Sequence, residues 1–174
     1  MDARARRSRA ALVAAFLRLV LRERYGAISV DRLVTEAGVA RSTFYEHFRG
    51  KDDLLAASLH GPFRPLADAI DPAAPLAPLE AILRHFWDNR ALAPGVFAGA
   101  TGRRAAAVLA AMVEQRLCGS GPLAVPPRLV ALQVSALQLA AVMAWLEGRE
   151  PCSARDLALA ISRASAGAVA ALRR

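Results

Sequence analysis

Residues 27–55, AISVDRLVTEAGVARSTFYEHFRGKDDLL, carry two short helical patterns on either side of a glycine, and the rest of the chain is read outward from them. Ser29 stands at an N-cap position, its hydroxyl placed to accept a free backbone N–H. Asp31 follows in the first turn, where the helix dipole favours a negative charge. Val30, Leu33, Val34 and Ala37 recur at i, i+3, i+4 and i+7, the spacing of a single apolar face. The pattern predicts a helix of about eight residues, a tight turn at Gly38-Val39, and a second short helix beginning near Ala40 or Arg41. Gly50 interrupts it, and KDDLLAASL opens a further helix with two acids in its first turn.

The second short helix is unlike its surroundings. Most of the chain is rich in Ala and Leu, yet three of its eight Phe and Tyr residues (Phe44, Tyr45, Phe48) fall within five positions, among Arg, Ser, Thr, Glu and His. At about 100° per residue, Phe44 and Phe48 share a side that can anchor the helix, Ser42 and Glu46 project away from it, and Arg41 and Tyr45 form an adjacent edge. Two short helices joined by a glycine turn, the second polar and basic, describe a helix-turn-helix. A helix that enters a DNA major groove needs this division between an anchoring side and a polar side. Arg41 carries the fork that meets guanine O6 and N7, and Ser42 and Tyr45 can reach bases or phosphates. Thr43, His47 and Lys51 suit phosphate oxygens, which set register without reading sequence.

Charge agrees with such a partner. The 174 residues carry a formal +8, and residues 1–60 hold 11 Arg and Lys against 7 Asp and Glu. Residues 61–174 hold 12 against 8, so the first third is about twice as dense in positive charge. A basic balance points to nucleic acid or an anionic membrane surface and says nothing about fold. Of the basic residues only Lys51 is a lysine. Two cysteines, Cys118 and Cys152, fit no metal spacing and are too few for a disulfide scaffold, so a reduced, cytoplasmic setting is expected. The basic start runs into an amphipathic pattern rather than an apolar signal core, and no export signal is expected.

Ala, Leu and Arg, all strong helix formers, dominate throughout, and no stretch alternates with period two, so the fold class is all-α. A first helix over about 4–24 puts Leu12, Ala15, Phe16 and Leu19 on one stripe and ends at Tyr25-Gly26, the glycine supplying a left-handed terminus. Pro62 and Pro65 are expected to break or kink the helix that begins at Lys51, since each removes a backbone donor. Residues 70–78 read as a linker, and longer helices follow over roughly 76–92, 101–118, 126–148 and 153–173. The natural division lies near residue 60, between a basic unit (1–60, motif about 29–48) and a bundle of longer, more apolar helices (61–174).

Residues 129–146 are apolar at 15 of 18 positions, close to the length of a membrane span. Gln133, Ser135 and Gln138 interrupt them on more than one face, and the frequent Ala contributes little to insertion. A helix buried on two sides by protein accounts for the stretch better, and no membrane partner is expected.

The block from Ala27 to Leu55 resembles the TetR-type (tetracycline-repressor) transcriptional regulators nearly residue for residue: hydroxyl-Val-Asp, Ala-Gly-Val, Thr-Phe-Tyr, His-Phe and Lys-Asp-Asp-Leu-Leu, with the likeness running from about Arg9 to Leu59. The resemblance implies an N-terminal helix-turn-helix domain followed by a helical domain that binds a small effector and dimerises through its last two helices. It implies a repressor released from a double-stranded DNA operator. Arg41, Ser42 and Tyr45 would then face bases, and Ser29, Thr43, His47 and Lys51 the DNA backbone. Two departures stand out: Ala40 occupies the cap position where the family commonly has Ser or Thr, and the prolines at 62 and 65 fall where its fourth helix runs on.

For an effector, Phe86, Trp87, Phe97, Met112, Gln133, Gln138, Met143 and Trp145 are the candidates, because they mix aromatic, flexible and polar groups in an apolar region. The poverty of acids and Lys in the later helices points to an apolar or weakly polar compound. Leu157, Ile161 and Ala164, with Leu172 further on, mark the core stripe of the last helix. The alternative reading is a helical small-molecule or lipid-binding bundle in which the basic unit only packs. An enzyme is not expected: His47, His60 and His85 lack nucleophile, carboxylate-pair or metal-ligand spacing, and no Gly-rich phosphate loop or cofactor motif is present.

Overall fold

A computed structural model of the chain describes residues 3–20, 22, 23, 25–92, 96, 97, 99–119 and 121–174. Helix α1 (Ala3–Val20) buries Leu12, Ala15, Phe16 and Leu19, the stripe that its periodicity predicts. It stops at Val20, short of the expected end. The N–H groups of Arg22 and Glu23 both turn back to the Leu19 carbonyl, at 2.9 and 2.8 Å. Tyr25–Ala27 then forms a single 3-10 turn. Gly26 is not a left-handed cap, since positive φ occurs at other glycines. The exit is set by packing instead: the Tyr25 ring is buried and meets Phe16 edge-on, with centroids 6.1 Å apart.

Ser29 does cap α2 (Val30–Ala37), its Oγ accepting from the Arg32 N–H at 3.1 Å. Gly38 sits in the left-handed region at φ 65°, which lets the N–H of Val39 reach the Val34 carbonyl at 3.0 Å and close the helix. Helix α3 (Arg41–His47) follows at once, and α4 (Lys51–Asp68) packs back on α1. Leu12, Phe16, Leu33, Phe44 and Phe48 form the core of this first unit, all at most 2% exposed.

The prolines do not break α4, contrary to expectation: the helix runs unbroken from Lys51 to Asp68 with both inside it. Leu59, Phe63, Leu66 and Ala67 are buried along the same helix, and their burial offsets the two missing donors. Pro62 and Pro65, three apart, lie toward one side, so the defect stays on that side. The division at residue 60 therefore falls inside a continuous helix.

The remaining helices are α5 (Leu76–Asp88), α6 (Gly99–Leu117), α7 (Pro127–Leu146) and α8 (Ala154–Ala170). Helix α6 lies between α4 and α7, while α5 and α7 both pack on α8. Among the described residues the only extended pairing is a single bridge between Leu123 and Arg173. In α8, Leu157 and Ile161 are buried as expected but Ala164 is exposed, and Ser165 takes the inward place.

Helix α7 is long and apolar enough to cross a membrane, yet Val130, Val134, Gln138 and Val142 on one side are fully buried in the bundle. Gln138 ties three helices together, its Nε2 donating to the Leu66 carbonyl of α4 and to Ser165 Oγ of α8, both at 2.9 Å. The opposite side of α7 presents Leu129, Leu132 and Leu137 to solvent, and Leu159 of α8 is likewise exposed.

Candidate nucleic-acid interface

Helix α3 has only seven residues and no side-chain cap at Ala40, so its stability comes from its neighbours. Phe44 is fully buried, with its ring 5.9 Å from Phe48, and Arg9 of α1 lies over Phe48 at 5.3 Å. That anchored side turns the other side outward. Tyr45 is 51% exposed and stands edge-on to Phe44 at 5.2 Å. Arg41 lies over the Tyr45 ring at 5.7 Å and its Nη2 reaches the Tyr45 hydroxyl at 3.4 Å. Arg41 and Tyr45 thus form one edge, as their spacing requires, with Ser42 and Glu46 exposed beside them.

Arg41 also pairs with Asp31 of α2, a contact that the sequence does not announce. The hydrogen bond from Arg41 to Asp31, then the one to Tyr45, raises the guanidinium's pKa. Both side chains are exposed, and such a pair opens at little cost in water. Asp31 therefore holds the fork in place without removing it from use.

Thr43 and His47 are half-buried and line a concavity of about 620 Å³ together with Arg4 and Ser8 of α1, Gly38 and Glu46. Arg4 and Ser8 were not singled out from sequence, although the Arg run at positions 4–9 was visible there. Ser29 spends its oxygen on the α2 cap. Serine at position 40 is expected to supply the missing cap of α3, since Ala40 already has the extended backbone of an N-cap residue (φ −71°, ψ 153°). Ala40→Ser should stabilise the protein by about 1 kcal/mol, read as a melting temperature higher by roughly 2–4 °C; an unchanged or lower midpoint would show that this cap position is not limiting.

Lys51 points inward. Its Nζ donates to the carbonyls of Tyr25 and Ile28 at 2.8 and 2.9 Å and lies 4.3 Å from the centre of the Tyr25 ring. Burial lowers its pKa. Beside it Asp52 accepts from the Tyr25 hydroxyl and pairs with Arg104 Nε of α6 at 2.9 Å. Burial, followed by that hydrogen bond to Asp52, raises the Tyr25 pKa. The Tyr25 hydroxyl, and secondarily Arg104, hold the Asp52 carboxyl below the usual carboxylate range. A folded-state pKa below the unfolded one stabilises above the unfolded value, and that stabilisation is lost as pH falls through the folded value. The Asp52 side chain is largely exposed, so the effect is small; the difference in melting temperature between wild type and Asp52→Asn should shrink as acid protonates Asp52, and a difference that grows in acid would remove this account of Asp52.

The eight effector candidates separate into several places. Phe86 and Phe97 meet at 5.5 Å, with Phe63 stacked on Phe97 at 6.3 Å. Trp87 and Trp145 meet at 4.7 Å, and Trp145 Nε1 donates to the Cys152 carbonyl at 2.9 Å. Met112 and Gln138 are buried, the Gln138 Oε1 without a hydrogen-bond partner, and Met143 is half-buried. Gln133 is exposed on the opposite side of α7. A concavity of about 620 Å³ in this half lies at the ends of α4 and α6, lined by Asp68, Asp71, Arg116 and Arg173, and takes none of the eight.

Residues 7–58 match the family model of the bacterial regulatory proteins, tetR family. No curated protein matches the chain in sequence. Among solved structures, a TetR transcriptional regulator from Streptococcus agalactiae 2603V superposes with a TM-score of 0.58 at 22% identity, over 93% of this chain and 95% of that one. A TetR transcriptional regulator from Rhodococcus sp. RHA1 gives 0.60 at 20% identity, over 98% and 99%. NalD, the secondary repressor of the MexAB-OprM multidrug efflux pump in Pseudomonas aeruginosa, gives 0.53 at 18% identity, over 97% and 98%. At these identities the likeness is one of fold. The N-terminal unit is a TetR-type DNA-binding helix-turn-helix domain, joined to a helical second half arranged as in TetR structures.

Proposed function

We propose that this chain, TetR-type in its DNA-binding domain and its fold, is a cytoplasmic homodimeric repressor that leaves its operator when a small molecule binds the second half. The observation that carries the reading is the exposed Arg41–Tyr45 edge on a helix whose other side is held down by buried Phe44 and Phe48. In this reading Arg41, Ser42 and Tyr45 meet base edges. Thr43 and His47 meet phosphates, joined by Arg4 and Ser8 around the same groove, with Ser29 at the DNA-facing start of α2. One seven-residue helix reads few base pairs, and a second copy restores specificity by reading a second half-site. The exposed leucines of α7 and α8 supply an apolar face for that copy.

The effector in this reading is an apolar or weakly polar compound, taken either at the Phe63, Phe86 and Phe97 rings or at the separate Trp87–Trp145 pair. Mobility-shift titrations on DNA flanking the gene, against an excess of unrelated duplex at stated salt, test the reading. A shift that survives competitor supports it. Binding of small apolar ligands with no DNA affinity at low salt would favour a ligand-binding bundle instead.

A further inference from the structure

Asp52 is held from both sides of the molecule. Its Oδ1 accepts from Tyr25, which precedes the reading helices, and its Oδ2 pairs with Arg104 on α6 of the second half. Lys51, its neighbour, lies over the Tyr25 ring and binds the carbonyls of Tyr25 and Ile28, the backbone immediately before the Ser29 cap of α2. An ammonium has three donors, and two are committed here. The result is a continuous polar clasp running from α6 to the turn that aims α2 and α3.

The far end of the clasp is as tightly fixed. A Cβ at Gly102 would come within 1.9 Å of the Phe97 carbonyl oxygen, so the first turns of α6 are seated directly on the Phe97 backbone. Phe97 in turn packs on Phe63 of α4 and Phe86 of α5. Arg104 stands two residues beyond Gly102 and also donates to the Ala100 carbonyl at 3.3 Å. Arg104 thus stands on the turn of α6 that follows the Phe97 ring cluster.

Resting on the DNA-binding reading above, we propose that Arg104 is a positioning residue for DNA recognition, acting through Asp52 and Tyr25 on the turn ahead of α2, and that Lys51 serves this clasp rather than a DNA phosphate. The Arg104 and Asp52 side chains are 43% and 58% exposed, so their pair adds little to global stability. Loss of the pair is thus separable from unfolding.

The experiment compares wild type with Arg104→Ala, Tyr25→Phe and Lys51→Met. Affinity for a duplex that the wild type selects is measured over about 50–200 mM salt, together with melting temperature and, without DNA, amide hydrogen exchange over residues 29–48. Arg104→Ala is expected to weaken specific binding by roughly 2- to 30-fold, the range of coupling between separate sites, and to speed exchange in α2 and α3 at an unchanged melting temperature. Tyr25→Phe and Lys51→Met should weaken binding without changing the slope of log K against log salt. A slope reduced by about 0.9 in Lys51→Met marks a lost phosphate contact and overturns the assignment of Lys51. Unchanged affinity and unchanged exchange in Arg104→Ala overturn the clasp. If the wild type selects no sequence, the functional reading fails, and the exchange comparison alone decides the clasp.

Discussion

Replacing Phe44 by alanine is expected to dismantle the reading unit. The ring is fully buried between the first helices and contacts Phe48 and Tyr45. Its removal leaves a cavity beneath a seven-residue helix that has neither the length nor a side-chain cap to persist alone. Loss of a buried phenylalanine costs about 3–5 kcal/mol, against a total stability of roughly 5–15 kcal/mol for a domain. Chemical denaturation should show a large drop in midpoint, and DNA binding should vanish with it. A Phe44→Ala protein that keeps the wild-type midpoint would mean that α3 is not anchored as described.

Arg41→Ala should have the second large effect, and a different one. Its partners Asp31 and Tyr45 are exposed, so the folded protein tolerates the loss. What disappears in the proposed reading is a bidentate base contact, worth about 1–3 kcal/mol at each half-site, or roughly 5- to 150-fold in discrimination. Affinity for the selected duplex should fall steeply while affinity for unrelated DNA changes little. An equal loss on both duplexes would demote Arg41 to a phosphate contact, and no loss on either would remove it from the interface.

The contrast between these two neighbours shows what was legible from the chain alone. Local features were: the Ser29 cap, the tight turn at Gly38 and the division of α3 into Phe44/Phe48 and Arg41/Tyr45 sides follow from spacing within a few residues. The family block, read from about Arg9 to Leu59, was equally plain, and residues 7–58 match the family model. What failed depended on contacts between distant segments. Pro62 and Pro65 read as breaking or kinking the helix, and the burial of Phe63, Leu66 and Ala67 explains why α4 runs on without a break. Gly26 read as a helix terminus, but Tyr25 packing on Phe16 sets that turn. Lys51 read as suited to a phosphate oxygen, and its contacts with the Tyr25 and Ile28 carbonyls were not legible because those residues lie more than twenty positions away. Asp52 and Arg104 are further apart still, and no periodicity links them.

The second half was legible as a bundle but not as a site. Apolar residues with occasional Gln and Trp describe a core, an interface and a pocket equally well. Gln133 and Gln138 show the ambiguity: five residues apart on one helix, the first faces solvent and the second is buried between α4, α7 and α8.

Selection of DNA by the purified protein from a pool of random duplexes tests the central claim most directly. Enrichment of one sequence with two-fold symmetry, its half-sites about one helical turn apart or a multiple of it, bound by the wild type and rejected by Arg41→Ala, is the expected result. A folded wild-type protein that enriches no sequence, or whose preference Arg41→Ala leaves intact, would contradict it.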